Sequence, residues 1–244
     1  GVGVFSGARL TGGGSISGLV TAYPGAVIAP GLVQESVSAE DRVLSVGQLD
    51  LRSGATFEVE LGGQMPGENT DTLTTPGLAT LAGNLTVSLV PGSTPSYGDS
   101  FEVISANSPI VGTFAGLPQG ALVGNFAGAD IYIDYSGNGG RRVSLRAMVP
   151  GDYNLDGVVD AADYTIWRNT LGSEDDLRAN GDNTGASAGI IDLADYTFWK
   201  SHFGQRAGSG AGASANAAVP EPATLVVLHM GMLVMCLRRQ AAVS

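Results

Sequence analysis

Twelve consecutive residues, Asp152-Tyr153-Asn154-Leu155-Asp156-Gly157-Val158-Val159-Asp160-Ala161-Ala162-Asp163, place oxygen-bearing side chains at loop positions 1, 3, 5, 9 and 12, with glycine at position 6. A hard divalent cation needs this from a short loop. Ca²⁺ gathers about six to eight oxygens at about 2.3–2.6 Å, and the glycine permits the turn that points them inward. Position 7, Val158, supplies a backbone carbonyl. The spacing therefore predicts a Ca²⁺ site built from Asp152, Asn154, Asp156, Asp160 and Asp163 with the Val158 carbonyl, in preference to a solvated acidic turn.

Part of this pattern returns. Ala162-Asp163-Tyr164-Thr165-Ile166-Trp167-Arg168 recurs as Ala194-Asp195-Tyr196-Thr197-Phe198-Trp199-Lys200, 32 residues later. Tyr164, Trp167 and Leu171, then Tyr196, Trp199 and Phe203, fall at i, i+3 and i+7. That spacing predicts one buried helical stripe per repeat, ended by Gly172 and Gly204. Neither helix buries a face alone, so the two are expected to pack on each other. The second loop departs from the first. With Asp182 as position 1 it is two residues too long, and counting back from Asp195 puts Thr184, Ala186 and Ala188 at positions 1, 3 and 5. Only Asp192 and Asp195, with the Ile190 carbonyl, map directly; Asp182, Asn183 or Ser187 would have to bend in. A cation loop and a metal-free turn both remain open there.

The elements before this duplication read as strands. Glycine is abundant (37 of 244 residues) and charged residues are sparse (14%), which suits β structure with tight turns. Alternation is clearest at Ala55–Leu61 and at Ala79–Leu89, and further strands are expected at Ser100–Ile104, Ile131–Tyr135 and Arg142–Ala147. No sustained helical period precedes residue 150. The expected class is mainly β, a β-solenoid (parallel β-helix) end or a β-sandwich, followed by a small all-α duplicated loop–helix module and a C-terminal apolar helix. The expected boundaries are a β-rich domain at 1–149, the module at 150–206, a small-residue linker at 207–218 and the tail at 219–244.

Net charge is -11 with one lysine, Lys200, which argues against nucleic acid and for cation binding. The single cysteine, Cys236, excludes a disulfide framework. The chain starts at glycine, which points to a fragment or a processed chain, so a leader missing from view carries no weight. No catalytic constellation is legible. Histidine occurs only at 202 and 229, and His-Glu-x-x-His and phosphate-loop patterns are missing. Glu58, Glu60, Glu68 and Glu102 read as surface positions of strands or loops, so the expectation is a non-enzymatic protein.

Three resemblances add to this. Leu49-Asp50-Leu51-Arg52-Ser53-Gly54-Ala55-Thr56-Phe57-Glu58-Val59, Thr70-Asp71-Thr72-Leu73, Gly77–Val87, Tyr97–Ile104 and Val111-Gly112-Thr113-Phe114 together resemble the passenger-type β modules of bacterial surface proteins, the end of an autotransporter-like solenoid. That resemblance implies a stalk or display surface. The duplicated loop and helix resemble a type I dockerin of the planctomycete-like form. It implies the ligand set above, and Ca²⁺ held by Asp182, Ile190, Asp192 and Asp195 wherever the second loop can close. It also implies recognition of a cohesin-like domain through Arg168, Asn169, Lys200 and Ser201. The Ser/Thr pair of the cellulosomal type is replaced by Ala161-Ala162 and Leu193-Ala194. Finally, Pro220-Glu221-Pro222, an apolar run from Ala223 to Leu237, and Arg238-Arg239 resemble a PEP-CTERM sorting signal. It implies an exosortase-type enzyme as partner, contact with the membrane, and a secreted or cell-surface protein of a Gram-negative-type bacterium. The bland reading of this tail is a plain membrane anchor. A carbohydrate-degrading assembly component docked through the dockerin is the alternative to a structural or adhesive protein.

Overall fold

Alternating burial organises the strands. In β6 (Thr56–Leu61), Phe57, Val59 and Leu61 are buried while Glu58 and Glu60 lie on the outer face, as the sequence alternation requires. The computed structural model describes residues 1–31, 42–62, 69–182 and 184–207. The chain is mainly β, in two mixed or parallel sheets. Within the first 112 residues the chain alternates between sheets. One sheet receives β1 (Val2–Val4), β3 (Gly14–Ala22), β5 (Val43–Leu51), β7 (Thr72–Thr75), β8 (Ala79–Leu81), β10 (Ser100–Ala106) and β11 (Val111–Gly112), in parallel register. The other is wholly parallel, in the order β2 (Arg9–Gly12), β4 (Val27–Pro30), β6 and β9 (Asn84–Leu89).

The corners between the sheets repeat a short pattern. Phe5-Ser6-Gly7-Ala8, Tyr23-Pro24-Gly25-Ala26 and Arg52-Ser53-Gly54-Ala55 each place glycine at positive φ, +77°, +80° and +80°. The Gly7 amide donates to the Gly25 carbonyl and the Gly25 amide to that of Gly54, so the turns stack rung on rung. Their first residues stack too. The Phe5 and Tyr23 rings lie 4.8 Å apart at 9°, and the Arg52 guanidinium sits 4.5 Å over Tyr23. Between the sheets, Phe57 and Phe114 stack at 5.9 Å within the buried core.

Ala79–Leu89 is not one strand. It bends at Ala82-Gly83, so β8 and β9 belong to different sheets. A side chain at Gly83 would put its Cβ 2.6 Å from the Ala55 carbonyl oxygen, so glycine turns the corner there. The strands expected at Ser100–Ile104, Ile131–Tyr135 and Arg142–Ala147 appear as β10, β13 (Ala129–Asp134) and β14 (Arg142–Ala147). After β11 the pattern changes. β10, β14, β13 and β12 (Leu122–Phe126) pair antiparallel and end the larger sheet, and α1 (Gly137–Gly140) is a single irregular turn before β14.

Helices α2 (Ala161–Thr170) and α3 (Leu193–His202) follow. The described residues all belong to one contact unit, Gly1–Ser209, and the buried cluster runs from the strands into Val149, Tyr153, Val159, Leu177, Ala179 and Ile191. Linker residues 208–218 and the tail, with Pro220, Glu221, Pro222, Arg238 and Arg239, lie outside the described residues, as does Asn183. Among the described residues no helix is long and apolar enough to cross a membrane.

Candidate metal centre

The 152–163 loop is shaped by its own carboxylates. Gly157 adopts φ +87° and Leu155 φ +67°, so the chain reverses where position 6 demands it. Asp152 accepts the Asp156 amide at 3.2 Å on one oxygen and the Gly157 amide at 2.9 Å on the other. The Asn154 side-chain oxygen also accepts the Asp156 amide, at 2.9 Å, and Asp156 accepts the Val158 amide at 2.9 Å. Asp163 closes the loop, accepting from the Tyr153 and Asn154 amides on one oxygen and the Asp160 amide on the other, at 2.8–2.9 Å. Asp160 and Asp163 also form the capping box of α2, so the residues at positions 9 and 12 start the helix as well as close the loop.

The electrostatics are those of acids crowded together. Burial, reinforced by Asp163 and Asp156, pushes the Asp152 carboxyl up to about 6 against the pull of the Gly157 and Leu155 amides. Asp163 is raised for the same first reason. Among the described residues no Lys or Arg ion pair reaches the loop. Nor, among the described residues, do three His, Cys, Asp or Glu side chains converge into a cage. The donor set is oxygen-only, buried at Asp152 and Asp163, and supplies neutral oxygens from Asn154 and Val158 beside the carboxylates. Those residues fit a hard cation of Ca²⁺ type.

The second loop uses the same anchors differently. Asp192 and Asp195 form the capping box of α3, and Asp195 accepts the Asp182 amide at 2.9 Å and the Asp192 amide at 2.7 Å. The Asp182 amide thus does what the Tyr153 amide does in the first loop. In place of a second run of acids, hydroxyls engage the carboxylates. Buried Ser187 donates to Asp192 at 2.7 Å and Thr184 donates to Asp182 at 2.6 Å. Asp192 is accordingly lowered, first by Ser187, whereas Asp152 is raised. Ile190 lies just before buried Ile191, its amide bonded to the Ser187 carbonyl.

A reciprocal exchange joins the two repeats. The Trp167 indole donates to the Asp192 carbonyl at 2.8 Å, and the Trp199 indole donates to the Asp160 carbonyl at 3.0 Å. Ile191 pairs with Gly172 and Ser173, and Val159 pairs with Gly204 and Gln205. The expected buried stripe needs correction. Trp167 and Trp199 are buried, but Tyr164, Leu171 and Phe203 are 37%, 53% and 37% exposed. The helices meet through crossed ring contacts, Trp167 on Tyr196 at 5.1 Å and Tyr164 on Trp199 at 5.7 Å, leaving Leu171 and Phe203 at the rim of the contact. Arg168, Asn169, Lys200 and Ser201 are all exposed on the helices. No protein-family model matches the chain, and no curated protein is significantly similar to it.

Proposed function

We propose that the chain is a non-enzymatic secreted or cell-surface protein, the end of a parallel β-solenoid carrying a dockerin-like module that binds one Ca²⁺ at 152–163. The observation that carries this is the loop itself: Gly157 at φ +87° reverses the chain, the buried Asp152 and Asp163 carboxyls draw the loop amides inward, and no Lys or Arg pairs with them among the described residues. When bound, Ca²⁺ supplies the positive charge that the crowded carboxylates lack. Asp152, Asn154, Asp156, Asp160 and Asp163 would hold it with the Val158 carbonyl. Gly157 gives the turn, and Asp160 and Asp163 pass the order of the loop to α2 through the shared capping box.

The stacked corners and parallel ladders support the solenoid reading, in which the β part is a structural or adhesive surface. His202, the one histidine among the described residues, is held at the Phe198 carbonyl and Ser201, in keeping with a non-catalytic role. The Pro220-Glu221-Pro222 and Arg238-Arg239 tail is the basis for proposing exosortase-type sorting to the surface of a Gram-negative-type bacterium. The test is thermal melting of the chain with Ca²⁺ and with chelator. At free Ca²⁺ near 100 times Kd the ligand adds about 2.7 kcal/mol to the stability of the module. An unchanged melting temperature would overturn the calcium reading.

A second reading is a polysaccharide-degrading assembly component docked on a cohesin-like domain. It is favoured by the exposure of Arg168 and Lys200 at equivalent places in the two repeats. It requires measurable binding of a cohesin-like domain that Arg168→Glu and Lys200→Glu together abolish.

A further inference from the structure

The module is not hung from the β part by a tether; it is built into the edge of the larger sheet. The segment before β12 pairs with β13 on one side: the Gly120 amide donates to the Ile133 carbonyl at 2.9 Å and the Ile133 amide to the Ala121 carbonyl at 3.0 Å. On its other side it receives the connector between the two helices. Gln119 bridges Asp176 in parallel, and the Leu177 amide donates to the Gln119 carbonyl at 2.8 Å. The connector thus adds one short rung to the sheet, beyond its terminal strand.

Three features make this a fitted seat. A Cβ at Gly120 (φ +79°) would lie 2.5 Å from the Arg178 amide nitrogen, so only glycine allows the backbones this close. Leu177 and Ala179 are buried in the same cluster as Ile131 and Ile133. Gln119 fixes the strand side, donating to Asp134 at 3.0 Å and accepting the Tyr135 amide at 2.7 Å.

The same connector leads back to the loop. Ser173, at its start, pairs with Ile191, and the reciprocal Trp167 and Trp199 bonds tie that side to Asp160 and Val159. The Tyr153 hydroxyl crosses from the first loop to the Asp195 carbonyl at 3.0 Å. Each step is a hydrogen bond between packed elements, with no free linker between loop and sheet.

We infer that the 152–163 loop is a calcium-dependent lock on the terminal edge of the sheet: cation binding there stabilises the 119–134 strand pair through the connector, so module and sheet edge open as one unit. This rests on the calcium reading above. It gives the module a role inside the chain, protecting a sheet edge whose backbone groups would otherwise be bare for strand pairing.

Amide hydrogen exchange on the full chain, with Ca²⁺ and with chelator, tests it, reading Val159 in the loop and Ile133 in the sheet. At free Ca²⁺ near 100 times Kd both amides should gain about 100-fold in protection. Protection gained at Val159 alone would overturn the lock and leave the calcium site standing. Protection gained at neither would overturn both. In Leu177→Asp the gain should persist at Val159 and vanish at Ile133; a gain retained at Ile133 would show that coupling does not pass through the seat, and the inference would fall. If Leu177→Asp does not fold, Gly120→Ala, whose Cβ would meet the Arg178 amide nitrogen across the seat at 2.5 Å, serves in its place with a shift in the same direction.

Discussion

Asp152 and Asp71 are buried carboxyls that burial pushes up to about 6, and their surroundings give them opposite uses. Asp71 is tied to the chain's own cation: the buried Arg42 guanidinium donates to it at 3.1 Å, and the Glu60 amide at 3.0 Å. Asp152 has backbone amides and further acids around it. Asp152→Ala or Asp156→Ala should therefore remove most of the calcium response in a melt, while Asp192→Ala should keep it and cost about 1 kcal/mol through the lost cap. Asp71 carries a pH dependence of definite sign. Its folded value lies above the ordinary 3.8, so the folded chain holds that proton more tightly. Stability from this group is full below about pH 4, falls as pH rises through about 6, and is level above, by about 3 kcal/mol at most. Urea unfolding at pH 4 and pH 7 should show that fall reduced in Asp71→Asn; an equal fall in both proteins would refute it. The turn and internal bonds of the first loop were legible because Gly157 and the acids that bond its amides fall within twelve consecutive positions. The Arg42–Asp71 pair was not, because its partners stand 29 residues apart and meet only where β5 and β7 pair. Ser187 as the partner of Asp192 was also hidden, since the longer second loop breaks the register by which positions are counted.

At the scale of elements, α2 and α3 hold each other by exchanging indole bonds with the opposite loop. Trp167→Ala removes a buried ring and the donor to the Asp192 carbonyl together, and should cost about 3–5 kcal/mol. The measurement is a chemical melt followed by near-ultraviolet circular dichroism, and a loss below 1 kcal/mol would contradict the exchange. Both helices were legible from the 32-residue echo and their terminal glycines. The depth of burial was not, because a period of i, i+3, i+7 gives a direction and not the reach of the partner surface. In the β part the alternation at 55–61 gave a true strand. The equally good alternation at 79–89 crosses a corner, since period two survives a turn at Gly83 that moves the chain to the other sheet. The better signal there was the corner pattern at residues 5–8, 23–26 and 52–55. It is short and varies at its first residue, and becomes visible once Phe5, Tyr23 and Arg52 are seen to stack.

Over the described residues, the parallel strands lead into an antiparallel end, and the duplicated helices join that end through the connector at 176–178. That seat was not legible in the sequence, where Gln119 and Leu177 carry no motif and lie far apart. The net charge of -11 favours cation binding, and it makes charge neutralisation at one crowded site worth measuring in isolation. The central claim is a single calcium site at 152–163, with the second loop held by its own hydroxyls. Isothermal titration of Ca²⁺ into the chelator-stripped chain tests it most directly. The account predicts one ion per chain, with binding lost in Asp152→Ala and kept in Asp195→Asn. No binding heat, or two ions bound with equal affinity, would contradict it.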